Sequence, residues 1–67
     1  MKLTPLTIQA IGLEAGLLNP KSWVKRKADN SVVYILAHGS DDARQTIELQ
    51  RNAKEADVRK AVSERAA

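Results

Sequence analysis

Residues 31–38, SVVYILAH, constrain the fold more than any other stretch of this chain. The stretch is rich in β-branched and aromatic side chains, with turn-forming residues on either side: Asp29-Asn30 before it and Gly39-Ser40-Asp41-Asp42 after it. Such side chains fit a pleated surface, and turn residues at both ends mark a strand. Both alternating faces are apolar, so the strand belongs at the centre of a sheet. A chain of 67 residues can build that sheet only within one small domain, residues 1–67. A domain of this size buries only about 60% of the surface its unfolded chain exposes. With no cysteine, neither a disulfide nor a thiolate metal site is open to it, and the single His38 cannot form a histidine cluster. The core must come from aliphatic packing, and oligomerisation is the remaining route to added stability.

The segment after this strand reads in two ways. As a strand, residues 43–51 place Ile47 and Leu49 on one face and Thr46, Glu48 and Gln50 on the other. As a helix it has Ser40 as a cap and two aspartates in its first turn. A single helix over 41–66 would split its apolar residues between opposite sides. The pattern therefore favours a hairpin followed by a helix from about Ala53 to Glu64. That last helix carries a narrow stripe, Val58, Ala61 and Val62, and a Glu55–Arg59 pair spaced for mild support. The stripe either docks on the sheet or frays and serves as a contact for a partner.

The first helix opens at Thr4-Pro5 or at Thr7, since threonine caps a helix and proline fits its first position. Ile8, Ile11, Gly12 and Ala15 share one face, and Leu6, Ala10, Leu13 and Leu17 the opposite one. A short helix apolar on two faces is expected to be sandwiched. Gly12 would permit close approach, and Gly16 suits the left-handed residue that ends a helix. Asn19-Pro20 then reads as the start of a second helix, with Leu18 and Trp23 as a hydrophobic staple. On that helix Trp23, Val24 and Lys27 face inward, while Lys21, Ser22, Lys25 and Arg26 face out. The rival reading makes Trp23–Lys27 a strand paired with Val32–Leu36 across Ala28-Asp29-Asn30. The Asn-Pro start favours the helix. The expected fold is α+β: an N-terminal helix or helix–turn–helix, a β-hairpin or three-stranded antiparallel sheet, and a C-terminal helix whose last residues are free to fray.

The net charge of +3 is unevenly placed. Residues 1–38 carry five cations against two carboxylates, and four of those cations lie between Lys21 and Lys27. Residues 39–67 balance six against six. A local surplus of one sign is the footprint of a polyanion partner. The first 18 residues make a poor signal peptide, because Pro5 and Glu14 interrupt the apolar run, and nothing approaches the ~20 apolar residues of a membrane span. A cytoplasmic protein without a membrane partner is expected. No phosphate loop, nucleophile elbow or paired acid–base site is present in the sequence, so no enzyme, no cofactor and no metal site is expected. Asp41 and Asp42 read as turn or cap residues and His38 as a hydrogen-bonded surface residue; Trp23 reads as core, with stacking on an unpaired base beside Lys25 and Arg26 as the alternative, and Tyr34 as core or half of a cross-strand pair.

The order of Ala15-Gly16-Leu17, Asn19-Pro20 and a following hairpin resembles winged helix-turn-helix domains of the excisionase and MerR type, over about residues 7–51. The resemblance implies a second helix that carries its cations into the groove of double-stranded DNA, with Ser31–His38 and Ala43–Arg51 as the wing. Its contacts would be Lys21, Lys25 and Arg26, with Ser22 donating to a phosphate and Lys27 at the margin. Two features depart from that pattern: Pro20 shortens the helix, and the acidic tip Gly39-Ser40-Asp41-Asp42 would repel phosphate. The competing expectation is a protein-interaction module or homodimer using Val58, Ala61 and Val62 or the 31–38 strand. Cations sharing one face of a helix would favour nucleic acid, and cations alternating along an edge strand would favour the interaction module.

Overall fold

The computed structural model describes residues 3–66 and builds α1 (Pro5–Glu14), β1 (Lys21–Arg26), β2 (Val32–His38), β3 (Gln45–Gln50) and α2 (Glu55–Ala66). The three strands form one antiparallel sheet in the order β1-β2-β3. Helices α1 and α2 pack against each other and cover one face of it. This is the small α+β domain expected from the pattern, with 31–38 as the central strand.

Local chemistry accounts for the element boundaries. Thr4 is extended, and its hydroxyl accepts from the Thr7 amide at 3.2 Å, with Pro5 at the first helical position. At the other end of α1, Gly16 takes the left-handed conformation (φ +94°) and the Leu17 amide returns to the Gly12 carbonyl at 3.0 Å. This closes the helix and turns Leu17 into the core. The hairpin between β1 and β2 turns at Asp29-Asn30. Asn30 is left-handed (φ +70°), and the Asp29 carboxylate accepts from both the amide and the hydroxyl of Ser31, at 3.0 and 2.6 Å. In α2 the Asp57 carboxylate caps the first turn by accepting from the Lys54 amide at 3.0 Å.

The core lies between the helices and one face of the sheet. Ile8 and Ile11 of α1, Leu17, Leu36, Ile47 and Leu49 of the sheet side, and Val58 and Val62 of α2 form one buried cluster. Tyr34 packs against this cluster, and its hydroxyl donates to the Leu3 carbonyl at 3.1 Å. Gly12 is buried beneath the chain that leads into β1. A Cβ there would lie 3.2 Å from Cβ of Pro20 and 3.4 Å from Cδ1 of Leu17.

Several expectations are corrected. Residues 20–27 are not a second helix: 21–26 are strand β1, paired residue for residue with β2. No helix–turn–helix is therefore formed by residues 7–27. Asn19 does not cap a helix; it is a left-handed turn residue (φ +47°). Pro20 precedes an edge strand, a position that tolerates a missing N–H. Nor is α1 sandwiched, because Leu6 and Leu13 are 77% and 67% exposed. The stripe Val58, Ala61 and Val62 is not a free partner surface: both valines are fully buried in this chain's own core, and Ala61 packs against it. Strand 31–38 is hydrogen-bonded along both edges, so it offers no edge to a second copy. His38 is not a surface residue either; it is buried, and its Nε2 has no hydrogen-bond partner among the described residues. The ends of the chain, Lys2 and Ala67 included, lie outside the described residues, and the expected fraying falls partly there.

Two predictions follow from this packing. Leu36→Ala removes the fully buried side chain at the middle of the core and should cost about 2–5 kcal/mol. Against a total of roughly 3–10 kcal/mol for a chain of this length, urea unfolding should show a much lower midpoint or no folded baseline. In the hairpin turn, the Ser31 hydroxyl bond, followed by its amide bond, holds the Asp29 carboxyl below the ordinary aspartate range. Folding lowers this pKa, so the contribution is present above the unfolded value and fades as the pH falls through the lowered one. Carboxyl NMR should find Asp29 titrating below free aspartate in the native chain and moving back up in Ser31→Ala.

Candidate nucleic-acid interface

Strand alternation sorts the basic segment into two faces. Side chains at directly paired positions of an antiparallel sheet share a face. Ser22 pairs with Leu36, which is fully buried beneath the helices, so Ser22, Val24 and Arg26 belong to the helix side. Lys21, Trp23 and Lys25 belong to the opposite side, beside Ala37, Ile35 and Val33 of β2. Strand β3 adds Thr46, Glu48 and Gln50 to this second face. Neither helix covers it. The open face therefore has three parallel rows: Lys-Trp-Lys on the edge, Ala-Ile-Val in the centre, and Thr-Glu-Gln on the far edge.

The central row is only 3–8% exposed although no helix lies over it. Its cover comes from the longer side chains of the flanking strands. One of these is an ion pair. Lys27 follows β1 directly and continues the alternation, and its Nζ donates to Oε1 of Glu48 at 2.8 Å. Glu48 stands on β3, so the pair crosses the central strand from one edge of the sheet to the other. Both partners stay close to half exposed. The hydrogen bond to Glu48, followed by its charge, raises the Lys27 pKa.

Trp23 is 45% exposed at the middle of the edge row, with a lysine two positions away on either side. Lys21, Lys25 and Arg26 take part in none of the ion pairs formed among the described residues. The other cation that shapes this region is structural. Arg44 donates to the carbonyls of Asn19 at 3.0 Å and Gly39 at 2.8 Å, tying the entry of β1 to the loop after β2. That loop turns at Ser40–Ala43, and Asp41 shares a shallow hollow with Asn19, Lys21 and Arg44.

The expected contact residues are thus divided differently from the helical reading. Lys21, Lys25 and Lys27 share a face, although Lys27 was set apart on the helix. Ser22 and Arg26 belong to the other side, and the Ser22 hydroxyl is buried without a hydrogen-bond partner among the described residues. The helical reading missed Trp23 as a surface group by placing it in the core. The signal that identifies it is the alternation of WVKRK with period two.

A second surface feature lies on the helix side. Leu6, Ala10 and Leu13 of α1 line an open, mainly apolar hollow with Gln9, Pro20 and Lys21. Among the described residues no group of His, Asp or Glu is placed to hold a metal ion, and no helix is long and apolar enough to cross a membrane. Comparison with protein-family models, with curated proteins and with solved structures finds no match to this chain.

Proposed function

We propose that this chain is a small, non-catalytic nucleic-acid-binding protein of accessory or regulatory kind, and that it binds with the open face of its sheet along β1. The observation that carries this reading is Lys21 and Lys25, in no ion pair among the described residues, flanking a half-exposed Trp23 on one face. Unpaired ammonium groups in a row attract a phosphate backbone and release its counterions. Cations on an edge strand also discourage pairing with another edge, but that role does not require a tryptophan between them. A large aromatic left in water beside two free cations fits a ligand that carries both charge and π-faces.

Charge-altered variants of the open face test this reading. Lys21→Gln with Lys25→Gln should weaken binding to oligonucleotides and lower the slope of log affinity against log salt by about 0.7–0.9 per lysine. Glu48→Gln should do the opposite, because it removes the carboxylate from the face and frees Lys27. Filter binding over a salt series reads both effects. Unchanged affinity in the lysine pair variant would rule the interface out.

A protein-interaction module is the second reading, and the apolar hollow along Leu6, Ala10 and Leu13 favours it. If that hollow is used by a protein partner or a second copy, Leu6→Ser with Leu13→Ser should abolish any self-association seen in sedimentation while leaving oligonucleotide binding intact. Both side chains are largely exposed, so the fold should tolerate the change.

A further inference from the structure

We infer that the nucleic acid bound by this face is single-stranded, with one base stacked on Trp23 and the neighbouring phosphates held by Lys21 and Lys25. The inference rests on the reading above and adds the strandedness of the ligand.

The geometry of the face supplies the argument. The sheet has three strands, so its two edges are about 10 Å apart. A duplex pressed onto such a face presents a phosphate backbone along each side of a groove about 12 Å wide. Engaging both backbones requires cations at both edges. Among the paired positions of the edge strands on this face, only β1 has them. The β1 row is Lys21, Trp23 and Lys25, whereas the β3 row is Thr46, Glu48 and Gln50, whose one charge is negative. Glu48 is occupied by Lys27, which draws that cation inward across the sheet. What remains is a single rail of positive charge, and a single rail matches one phosphate backbone.

The tryptophan fits the same ligand. Lys21 and Lys25 are separated by four residue steps, about 13 Å along the strand, and Trp23 stands midway between them on the same face. A backbone following the rail therefore brings an unpaired base over the indole. In a duplex the base faces are stacked on one another and are not available to an aromatic side chain on a flat sheet. In a single strand they are free, and stacking on an aromatic tolerates any base because every base has a π-face. The row beneath, Ala37, Ile35 and Val33, is apolar and offers no donor or acceptor for reading base edges. The site is thus built for affinity with little sequence preference.

Trp23 is the only tryptophan in the chain, so intrinsic fluorescence reports this position alone. The test titrates the full chain at low salt with an oligothymidylate of about 12 nucleotides, within the usual range of site sizes. A second titration uses a duplex of the same length. The oligothymidylate should quench the fluorescence and bind more tightly than the duplex. Read by filter binding, since both variants lack the fluorophore, Trp23→Ala should weaken oligothymidylate binding roughly 5- to 150-fold, and Trp23→Phe should recover most of that loss. Both variants are checked for the native fold by circular dichroism before titration, and Trp23→Phe keeps the test decisive if the alanine variant unfolds. Duplex binding of equal or greater strength without quenching would overturn the single-strand assignment and leave the phosphate-binding surface standing. Oligothymidylate affinity unchanged in Trp23→Ala would overturn the stacking. Binding of neither probe at low salt would overturn both this inference and the proposed function.

Discussion

A slip of one residue in the pairing of β1 with β2 would turn Lys21, Trp23 and Lys25 toward the helix side and place Ser22, Val24 and Arg26 on the open face. The observed register prevents this by matching Ser22 to Leu36 and Trp23 to Ile35. Leu36 is fully buried, so its cross-strand neighbour must be small enough to leave room for α1 and uncharged enough to be enclosed. Serine meets both conditions, and lysine at that position would bury an unpaired ammonium group. The turn reinforces the same choice. Asp29 and Ser31 fix the hairpin loop, and the Lys27 amide closes it by donating to the Ser31 carbonyl at 2.8 Å. The core thereby decides which side chains reach solvent on the far side of the sheet, and the character of the open face is a consequence of how the covered face packs.

The exposure of Trp23 has an energetic logic. In a chain this small the largest apolar side chain would ordinarily be recruited to the core. Here the core closes without it. Ile8, Ile11, Leu17, Leu36, Ile47, Leu49, Val58 and Val62 fill the space between helices and sheet, and Tyr34 seals one side. The indole is left on the open face at the position paired with Ile35, keeping nearly half of its own surface in water. The Lys27–Glu48 pair covers the neighbouring part of the central row. An exposed ion pair of this kind adds little stability. Its effect on the face is larger, since it cancels the one negative charge that would otherwise oppose a polyanion on the β3 edge.

Most of the fold was legible in the sequence, because its signals are local. The β-branched run 31–38 read as a central strand, Thr4-Pro5 and Gly16 marked the ends of α1, and the split of apolar residues over 41–66 required a break between β3 and α2. Residues 20–27 were harder, and the physical reason is their length. Over eight residues a period of two and a period of 3.6 can both be fitted, and the adjacent apolar pair Trp23-Val24 belongs to neither cleanly. The Asn-Pro signal pointed to a helix, yet Asn19 was needed as a left-handed turn and Pro20 as the residue before an edge strand. The open edge of β2 settled the matter, since a central strand with one unpaired edge recruits the nearest segment able to pair. That decision is tertiary and is not written into residues 20–27. The composition of the candidate site was illegible for the same reason, because which cations share a face depends on the period.

The alternation of cations along an edge strand had been expected to favour a protein-interaction module over nucleic acid, and the structure does show such an edge. That criterion treats the strand as a line and asks only what its free edge does. A strand also contributes to the two faces of its sheet, and the face matters more here. Edge protection needs charge anywhere along β1, and Arg26 on the helix side would serve it as well as Lys25 does. It gives no reason for Lys21 and Lys25 to share the open face with the chain's single tryptophan. Nor does it explain why the charge on the opposite edge is paired inward by Lys27. A phosphate-bearing ligand lying along β1 accounts for both features. The apolar hollow of α1 reaches Lys21 at the start of β1, so a protein partner there and a nucleic acid on the open face would meet at that lysine.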